Sequence, residues 1–415
     1  MLLPLVCVLY ALGVNSRWRF QRDGAIYLTL ARSLLEEGTY SYNYRPHTKY
    51  SPGFPAMLAS VGYFVGMPET LSDSFLAFNI MVSLCGIGSF CLFYLILREL
   101  RSPPRLAFWA LLFFGFARTL YYYSAHLMSD VPFTLFALAA IWAALKARGA
   151  DTRGQRWGWC VGAGALVAVA CTLRPVGPLL VPAIVAGLWL RRGALRDWMS
   201  RAGQTAVVLG FAALSIGVWS LWTHSVATGG KQYFRNKVSS RAILNVLLSP
   251  FTGFAEHMEG FSGLVCGTET GTIAGMLISV AVAAGIVRWL YRGEREMSIF
   301  ALLCFAAVVG GGWYLKDRYL LPALPATCFW MVLGAVTLGG YLVHRGGWWT
   351  RRRALTVGYV FCGLILLSNL IRDGKVVYKN RSPDFYRVVD GGRMADYRPV
   401  LGWLRRNANR RDSVL

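Results

Sequence analysis

Apolar runs alternate with short polar, mostly basic, interruptions along nearly the whole chain. The runs fall at about 2–14, 72–97, 106–121, 131–145, 158–172, 175–190, 203–223, 271–287, 298–315, 319–343 and 354–371. Several approach the ~20 residues that carry a helix across a bilayer. Hydrocarbon forces every backbone polar group to be satisfied inside the spanning segment, and barrel strands would show as short alternating stretches instead. The pattern therefore predicts an all-α polytopic membrane protein with about eleven transmembrane helices. The first run is short for a full span, which fits a start upstream of Met1.

Three polar stretches are too long to be turns: residues 15–70, 224–270 and 372–415. Within the first, Ile26, Leu28, Leu30, Ala31, Leu34 and Leu35 recur at near-helical spacing between Arg32, Glu36 and Glu37, and Gly38 stops the pattern. That spacing predicts an amphipathic helix at the membrane surface, and residues 54–66 predict a second, partly embedded one. An ordered loop of this length is usually functional. The domain plan is a membrane domain over 1–371, with 15–70 and 224–270 as its long loops, and a polar C-terminal segment over 372–415.

Charge then assigns the two faces. Arg98, Arg101 and Arg105; Lys146, Arg148, Arg153 and Arg156; Arg191, Arg192 and Arg196; Arg288, Arg292 and Arg295; and Arg345 with Arg351–Arg353 follow alternate runs. The excess of Lys and Arg in short loops marks the cytoplasmic side. The first loop, the Asp130 loop, the Arg174 link, residues 224–270, the Lys316–Arg318 link and the tail then share the outer face.

The composition agrees. Of 415 residues, 55% are hydrophobic and 15% charged, with mean hydropathy +0.45, against about 25% charged in soluble domains. The net charge of +23 would suit nucleic acid, but clusters between apolar runs and a basic tail account for it, so no nucleic-acid partner is expected. The nine cysteines are scattered, mostly inside apolar runs (Cys85, Cys91, Cys160, Cys171, Cys304, Cys328, Cys362), without zinc or disulfide spacing. No cleavable signal is recognisable at residues 2–14.

The candidate reactive groups converge on the outer face: Asp23, Lys49, His126, Asp130, Arg174, Lys316 and Arg318. Ionisable groups at membrane depth are costly and point to function. Each has a bland alternative. Asp130, two residues before Pro132, is placed to cap its helix. Asp23 could cap the helix beginning at Gly24, and Arg174-Pro175 could be an interfacial anchor. His126 and His257 are isolated. Taken together, two acids and several bases facing an apolar cavity suit one chemistry. A carboxylate takes a proton from an acceptor hydroxyl, and Arg and Lys hold a phosphate leaving group. The two carboxylates could also hold a divalent cation through their oxygens. The membrane setting assigns the phosphate to a lipid.

The ordered motifs resemble a known superfamily. Arg22-Asp23-Gly24-Ala25-x-Tyr27, Ala31-Arg32-x-Leu34, Gly38-x-Tyr40 and Lys49-Tyr50-Ser51-Pro52-Gly53-Phe54-Pro55 resemble the first loop of the GT-C glycosyltransferases. The nearest group is that of the protein O-mannosyltransferases and lipid A aminoarabinose transferases (glycosyltransferase family 39-like). Ser129-Asp130-x-Pro132, Leu173-Arg174-Pro175-x-Gly177 and Arg318-Tyr319-Leu320-Leu321-Pro322 continue the likeness. The resemblance implies transfer of a hexose or pentose from a polyprenyl-phosphate carrier to an extracytoplasmic lipid, glycan or protein acceptor, with inversion at the anomeric carbon. It implies a setting in the bacterial inner membrane. By similarity Asp23 is the first catalytic acid and Asp130 the second, with both as candidate metal ligands. Lys49, Arg174, Lys316, Arg318 and Tyr319 would bind carrier phosphate and sugar. Many members have Asp-Glu where this chain has Asp23-Gly24, which leaves the metal and the identity of the base open. Val400-Leu401-x-Trp403-Leu404-Arg405 looks like the start of the C-terminal domain found in such proteins.

A second reading, from another class, is a lipid or lipid-linked-sugar flippase without chemistry. Transporters often carry internal repeats and midplane sites; no repeat is visible here. An oligosaccharyltransferase would carry a Trp-Trp-Asp signature, which is absent; Trp348-Trp349-Thr350 falls on the cytoplasmic side.

Overall fold

A computed structural model describes residues 2–17, 22–68, 74–189, 198–226, 272–290, 298–304, 317–345, 360, 363–371, 373–375, 377–378, 387–390 and 393–396. It is helical almost throughout. Ten α-helices are described up to Val226: α1 (Leu2–Gly13), α2 (Arg22–Glu36), α3 (Gly53–Val65), α4 (Leu76–Glu99), α5 (Pro104–Gly115), α6 (Arg118–Ser124), α7 (Asp130–Gly149), α8 (Arg153–Leu173), α9 (Leu180–Trp189) and α10 (Trp198–Val226). Helices Thr272–Leu290 and Leu324–Arg345 follow, the latter behind a turn of helix at Asp317–Leu320. Five described helices are long and apolar enough to cross a membrane: Leu76–Glu99, Asp130–Gly149, Arg153–Leu173, Trp198–Val226 and Arg318–Tyr341. The protein is thus an integral, polytopic α-helical membrane protein. The 224–270 loop beyond Val226, Lys316 and the tail beyond Asp396 lie outside the described residues.

The bundle is built on the α7–α8 hairpin. Ala150–Thr152 turn the chain, and Thr152 caps α8 by accepting the Gln155 N–H at 3.2 Å. Helix α4 packs on α7, and α10 packs on α8. Phe78, Phe93, Phe113, Phe114 and Phe133 fill the core. By contrast α10 leaves Leu214, Val218 and Leu221 exposed, as lipid contact allows. Helices Thr272–Leu290 and Leu324–Arg345 meet through glycine: a Cβ on Gly334 would sit 1.7 Å from the Ala281 carbonyl oxygen. Small residues let membrane helices approach backbone to backbone in this way.

Two expectations change in detail. The apolar run 106–121 is not one helix. It breaks between α5 and α6, where Ala117 is extended (φ −70°, ψ 121°). Gly115 has Val6 and Phe90 so close that a Cβ would meet them at 2.8–2.9 Å. Gly115 precedes the break and Arg118 opens α6, but both stand inside an otherwise apolar run, so mean hydropathy passes over them. The run 319–343 is likewise divided, with a 3-10 turn at Leu321–Ala323 before Leu324–Arg345 begins; Pro322 and Pro325 flank the change of pitch.

The first loop folds as a compact unit. Helix α2 buries Ala25, Tyr27, Leu28, Leu30 and Ala31 and packs on α3. Gly38 (φ +64°) ends it, with the Glu37 and Thr39 N–H groups both donating to the Ser33 carbonyl. A two-residue hairpin follows, β1 (Ser41–Tyr42) on β2 (Arg45–Pro46), turned by Asn43 and Tyr44 at φ 52° and 61°. Positive φ at both central residues is what such a turn requires.

Candidate active site

The site lies at the end of the bundle where α7 begins and α8 stops. Two carboxylate–arginine pairs meet there around one tyrosine. The sequence positions are far apart; the helix ends bring them together.

The first pair is Asp23 with Arg318. Asp23 stands in the first turn of α2, and Arg318 in the short turn before the last long helix described. Arg318 Nη1 donates to Asp23 Oδ2 at 2.9 Å, and the Tyr50 hydroxyl donates to Asp23 Oδ1 at 2.7 Å. Both members of the ion pair keep about a fifth of their side-chain surface open, 21% for Asp23 and 22% for Arg318. A carboxylate offers about four lone-pair sites, so these two bonds leave Asp23 capacity for a further donor.

The second pair is Asp130 with Arg174, and it is buried. Asp130 opens α7 and Arg174 is the residue that ends α8, so the hairpin itself sets them side by side. The guanidinium Nη1 bonds to Asp130 Oδ1. Only 2% of the Asp130 side chain is exposed. Burial pulls the Arg174 pKa down, but the adjacent Asp130 outweighs it and the group is held above its ordinary value. Gly177 lies so close to Cys171 that a Cβ would sit 2.6 Å from its backbone, which folds the Arg174-Pro175 link tightly back on α8.

Tyr319 joins the pairs. Its ring lies under both guanidinium groups, 4.7 Å from Arg318 and 5.6 Å from Arg174, and its hydroxyl accepts from Arg318 Nη2 at 2.7 Å. Cations over an aromatic face are attracted by its quadrupole. One donor of this cluster, Arg318 Nε, is buried without a hydrogen-bond partner among the described residues.

Tyrosines tie the loop to the hairpin. The Tyr27 hydroxyl lies 3.2 Å from the Ser129 hydroxyl, immediately before Asp130. Tyr27 packs edge-on against Tyr50 and Phe54, at 5.1 Å each. Burial raises the Tyr27 hydroxyl to about 12. Burial, and then the bond to Asp23, pushes the Tyr50 hydroxyl well above its usual range, so it stays a proton donor. His47 stacks on Tyr50 at 5.3 Å; burial, helped by Lys49, lowers it to about 4 and keeps it neutral. At the back of the loop, a Cβ on Gly53 would lie 2.5 Å from the Thr172 hydroxyl and 2.8 Å from its backbone. The glycine of the Ser51-Pro52-Gly53 motif is there because the loop rests on the end of α8.

Of the residues singled out in the sequence, Asp23, Asp130, Arg174, Arg318 and Tyr319 come together. Lys49 is exposed and its Nζ lies 5.1 Å from the centre of the Tyr50 ring, at the rim. Lys316 and His257 fall outside the described residues. His126 is buried and its Nδ1 is 2.7 Å from the Tyr122 carbonyl, so it closes the end of α6. Tyr50 and Tyr27 were not expected as site residues. Their presence in the quoted motifs was the available signal, but a tyrosine beside a membrane reads equally as an interface residue. As a cation site the acids fit poorly. Each faces a guanidinium, and no group of three His, Cys, Asp or Glu suited to a metal occurs among the described residues.

Residues 61–222 match the model of the family described as dolichyl-phosphate-mannose-protein mannosyltransferase. By sequence alone, no curated protein matches. Among solved structures the chain resembles ArnT from Cupriavidus metallidurans in the apo state, at TM-score 0.57 and 14% identity, over 91% of this chain and 74% of that one. The same ArnT bound to undecaprenyl phosphate gives TM-score 0.54 at 14% identity, with the same coverage. An Archaeoglobus fulgidus oligosaccharyltransferase, in complex with Zn and sulfate, gives TM-score 0.57 at 15% identity, over 98% of this chain but 55% of that one. The shared architecture shows the fold: this chain is a polytopic helical membrane protein that shares its fold, GT-C, with ArnT and the archaeal oligosaccharyltransferase.

Proposed function

We propose that the protein transfers a sugar from a polyprenyl-phosphate carrier to an extracytoplasmic hydroxyl acceptor, with inversion at the anomeric carbon. The observation that carries this reading is the pair of guanidinium groups straddling Tyr319, each tied to a carboxylate, with Arg318 Nε lacking an acceptor among the described residues. Such a cluster is built for an oxyanion with several acceptor oxygens. The undecaprenyl phosphate named for ArnT is a ligand of that kind.

In the proposed reaction Arg174 and Arg318 grip the carrier phosphate, with Lys49 at the rim. Asp23 accepts the proton of the acceptor hydroxyl as its oxygen attacks the anomeric carbon. The bond from that carbon to the phosphate oxygen breaks, and the carrier leaves as a polyprenyl phosphate whose growing charge the guanidinium groups stabilise. Tyr50 fixes the carboxylate of Asp23, and Asp130 fixes Arg174. Residues 1–371 form the catalytic domain, and 372–415 an extracytoplasmic segment. The active face is turned outward from a bacterial inner membrane, opposite the arginine-rich loops.

The test is mass spectrometry of the lipid that copurifies, followed by a transfer assay with the corresponding lipid-linked sugar. A prenyl-phosphate lipid and transfer by the wild type, lost in Asp23→Asn while the lipid is still bound, support the reading. A bound lipid with no transfer by the wild type would establish the flippase instead.

A further inference from the structure

The opposite end of the α7–α8 hairpin holds a second basic site, unconnected with the first. Ala147 and Arg148 close α7, Arg156 lies in the first turn of α8, Leu188 ends α9, and Ser200 and Arg201 open α10. Together with Gln204 these line a cleft, open on one side, with a void of about 30 Å³, room for about two waters. Helix α7 has 20 residues, which at 1.5 Å per residue separates the cleft from Asp130 by roughly 30 Å.

Arginines at this face are expected from the charge bias alone, and most need no ligand. Three features set this group apart. The arginines come from three different helices and converge on one void. Among the described residues, none that lines it is acidic; Glu99 is engaged by Lys146 at 2.7 Å, and Asp151 is exposed. Finally, Arg156 Nε is buried without a hydrogen-bond partner among the described residues, while its Nη2 reaches only the Ala150 carbonyl at 3.5 Å. Arg201 Nη1 is anchored on the Leu188 carbonyl, which holds its guanidinium at the cleft. The start of α10 adds the positive end of a 29-residue helix.

We infer that this cleft binds the phosphate of an anionic glycerophospholipid from the cytoplasmic leaflet. Planar guanidinium groups bond phosphate oxygens in pairs, and basic pockets between transmembrane helices on this side suit lipid head groups. The acyl chains would lie along α10, whose outer surface of Leu209, Leu214 and Ile216 is open to lipid. The site is independent of the sugar-transfer reading.

The test is native mass spectrometry of the full-length protein in detergent, titrated with phosphatidylglycerol or phosphatidylcholine of matched chains. Wild type should retain phosphatidylglycerol at least fivefold over phosphatidylcholine. Arg156→Gln with Arg201→Gln should bring the two lipids level, while Asp23→Asn at the other face leaves the preference intact. If the double variant does not fold, Ser200→Asp supplies an internal carboxylate to the arginines and should abolish the preference in a folded protein. Inorganic phosphate at millimolar concentration should fail to displace the lipid; displacement would assign the site to free phosphate instead. Equal retention of both lipids by wild type, or a preference that survives the substitutions, overturns the proposal.

Discussion

Asp23 and Asp130 are both acids paired with arginine at the same end of one helical bundle, yet they are held in opposite ways. Asp23 is a fifth open, shares its oxygens between Arg318 and the Tyr50 hydroxyl, and stands on a loop helix. Asp130 is closed off, bonded to Arg174, and stands at the mouth of a bundle helix whose far end is turned by Ala150–Thr152. The difference teaches which of the two can do chemistry. In the proposed reaction a base must be open to its substrate and retain a free lone pair, and the exposure of Asp23 suits it to that role. A buried ion pair is costly to form and very costly to break, which suits Asp130 to a fixed scaffold for Arg174. The family match covers residues 61–222, and so contains the buried pair but not Asp23.

The comparison breaks most sharply at Asp23. Asp23→Asn should lower transfer by about 10²–10⁴-fold, the range for a lost general base, with melting temperature and carrier binding little changed. A variant that keeps a tenth of wild-type activity would remove Asp23 from that role. At the other acid, Asp130→Asn should cost roughly 3–5 kcal/mol of stability, because Arg174 is left charged and buried. Thermal unfolding in detergent reads this, and Asp130→Asn with Arg174→Met should recover part of it. If the double variant is no more stable than the single one, the pair is not the unit supposed here.

Smaller changes sharpen the contrast. Gly53→Ala pushes a methyl against the Thr172 backbone, an overpacking of about 1–3 kcal/mol. It should lower carrier affinity by moving the Asp23 loop away from Arg174. Tyr50→Phe removes one hydrogen bond to a charged acceptor. A loss of about tenfold in kcat with KM unchanged is expected, some 1.4 kcal/mol; a change in KM alone would make Tyr50 a ligand of the substrate instead.

A third acid serves as the control. Asp373 is fully buried, and neither carboxylate oxygen has a hydrogen-bond partner among the described residues. Burial raises it to about 8, with Arg118 nearby opposing the shift. Because the folded value is raised above the unfolded one, its contribution to stability is intact below pH 4 and declines as pH rises to about 8. Asp373→Asn should therefore raise the melting temperature slightly at pH 8 and leave it unchanged near pH 4. An equal effect at both would show that the carboxyl does not titrate in that window.

Much of this was legible in the sequence because hydrocarbon is a strict solvent. The helical class, the amphipathic α2 and the stop at Gly38 follow from periodicity and from the chain's need to satisfy its backbone. The convergence of Asp23, Asp130, Arg174 and Arg318 on one face followed from counting charges between spans. Other features were less plain. The break at Ala117 lies between Gly115 and Arg118, a small residue and a single charge inside an otherwise apolar run. The hairpin turn at Asn43-Tyr44 depends on φ values that a tyrosine seldom adopts. The bond from Tyr50 to Asp23 spans 27 positions with no periodicity to announce it, and the arginine cleft was hidden among residues already explained by topology.

The seat of Gly53 against Thr172 has a consequence for how such a protein could be recombined. Because the loop is moulded to the helix beneath it, residues 15–70 are not a portable module. A chimera that exchanged the loop alone would inherit a mismatched floor, whereas one that carried the α8 end along with it would keep the two surfaces matched.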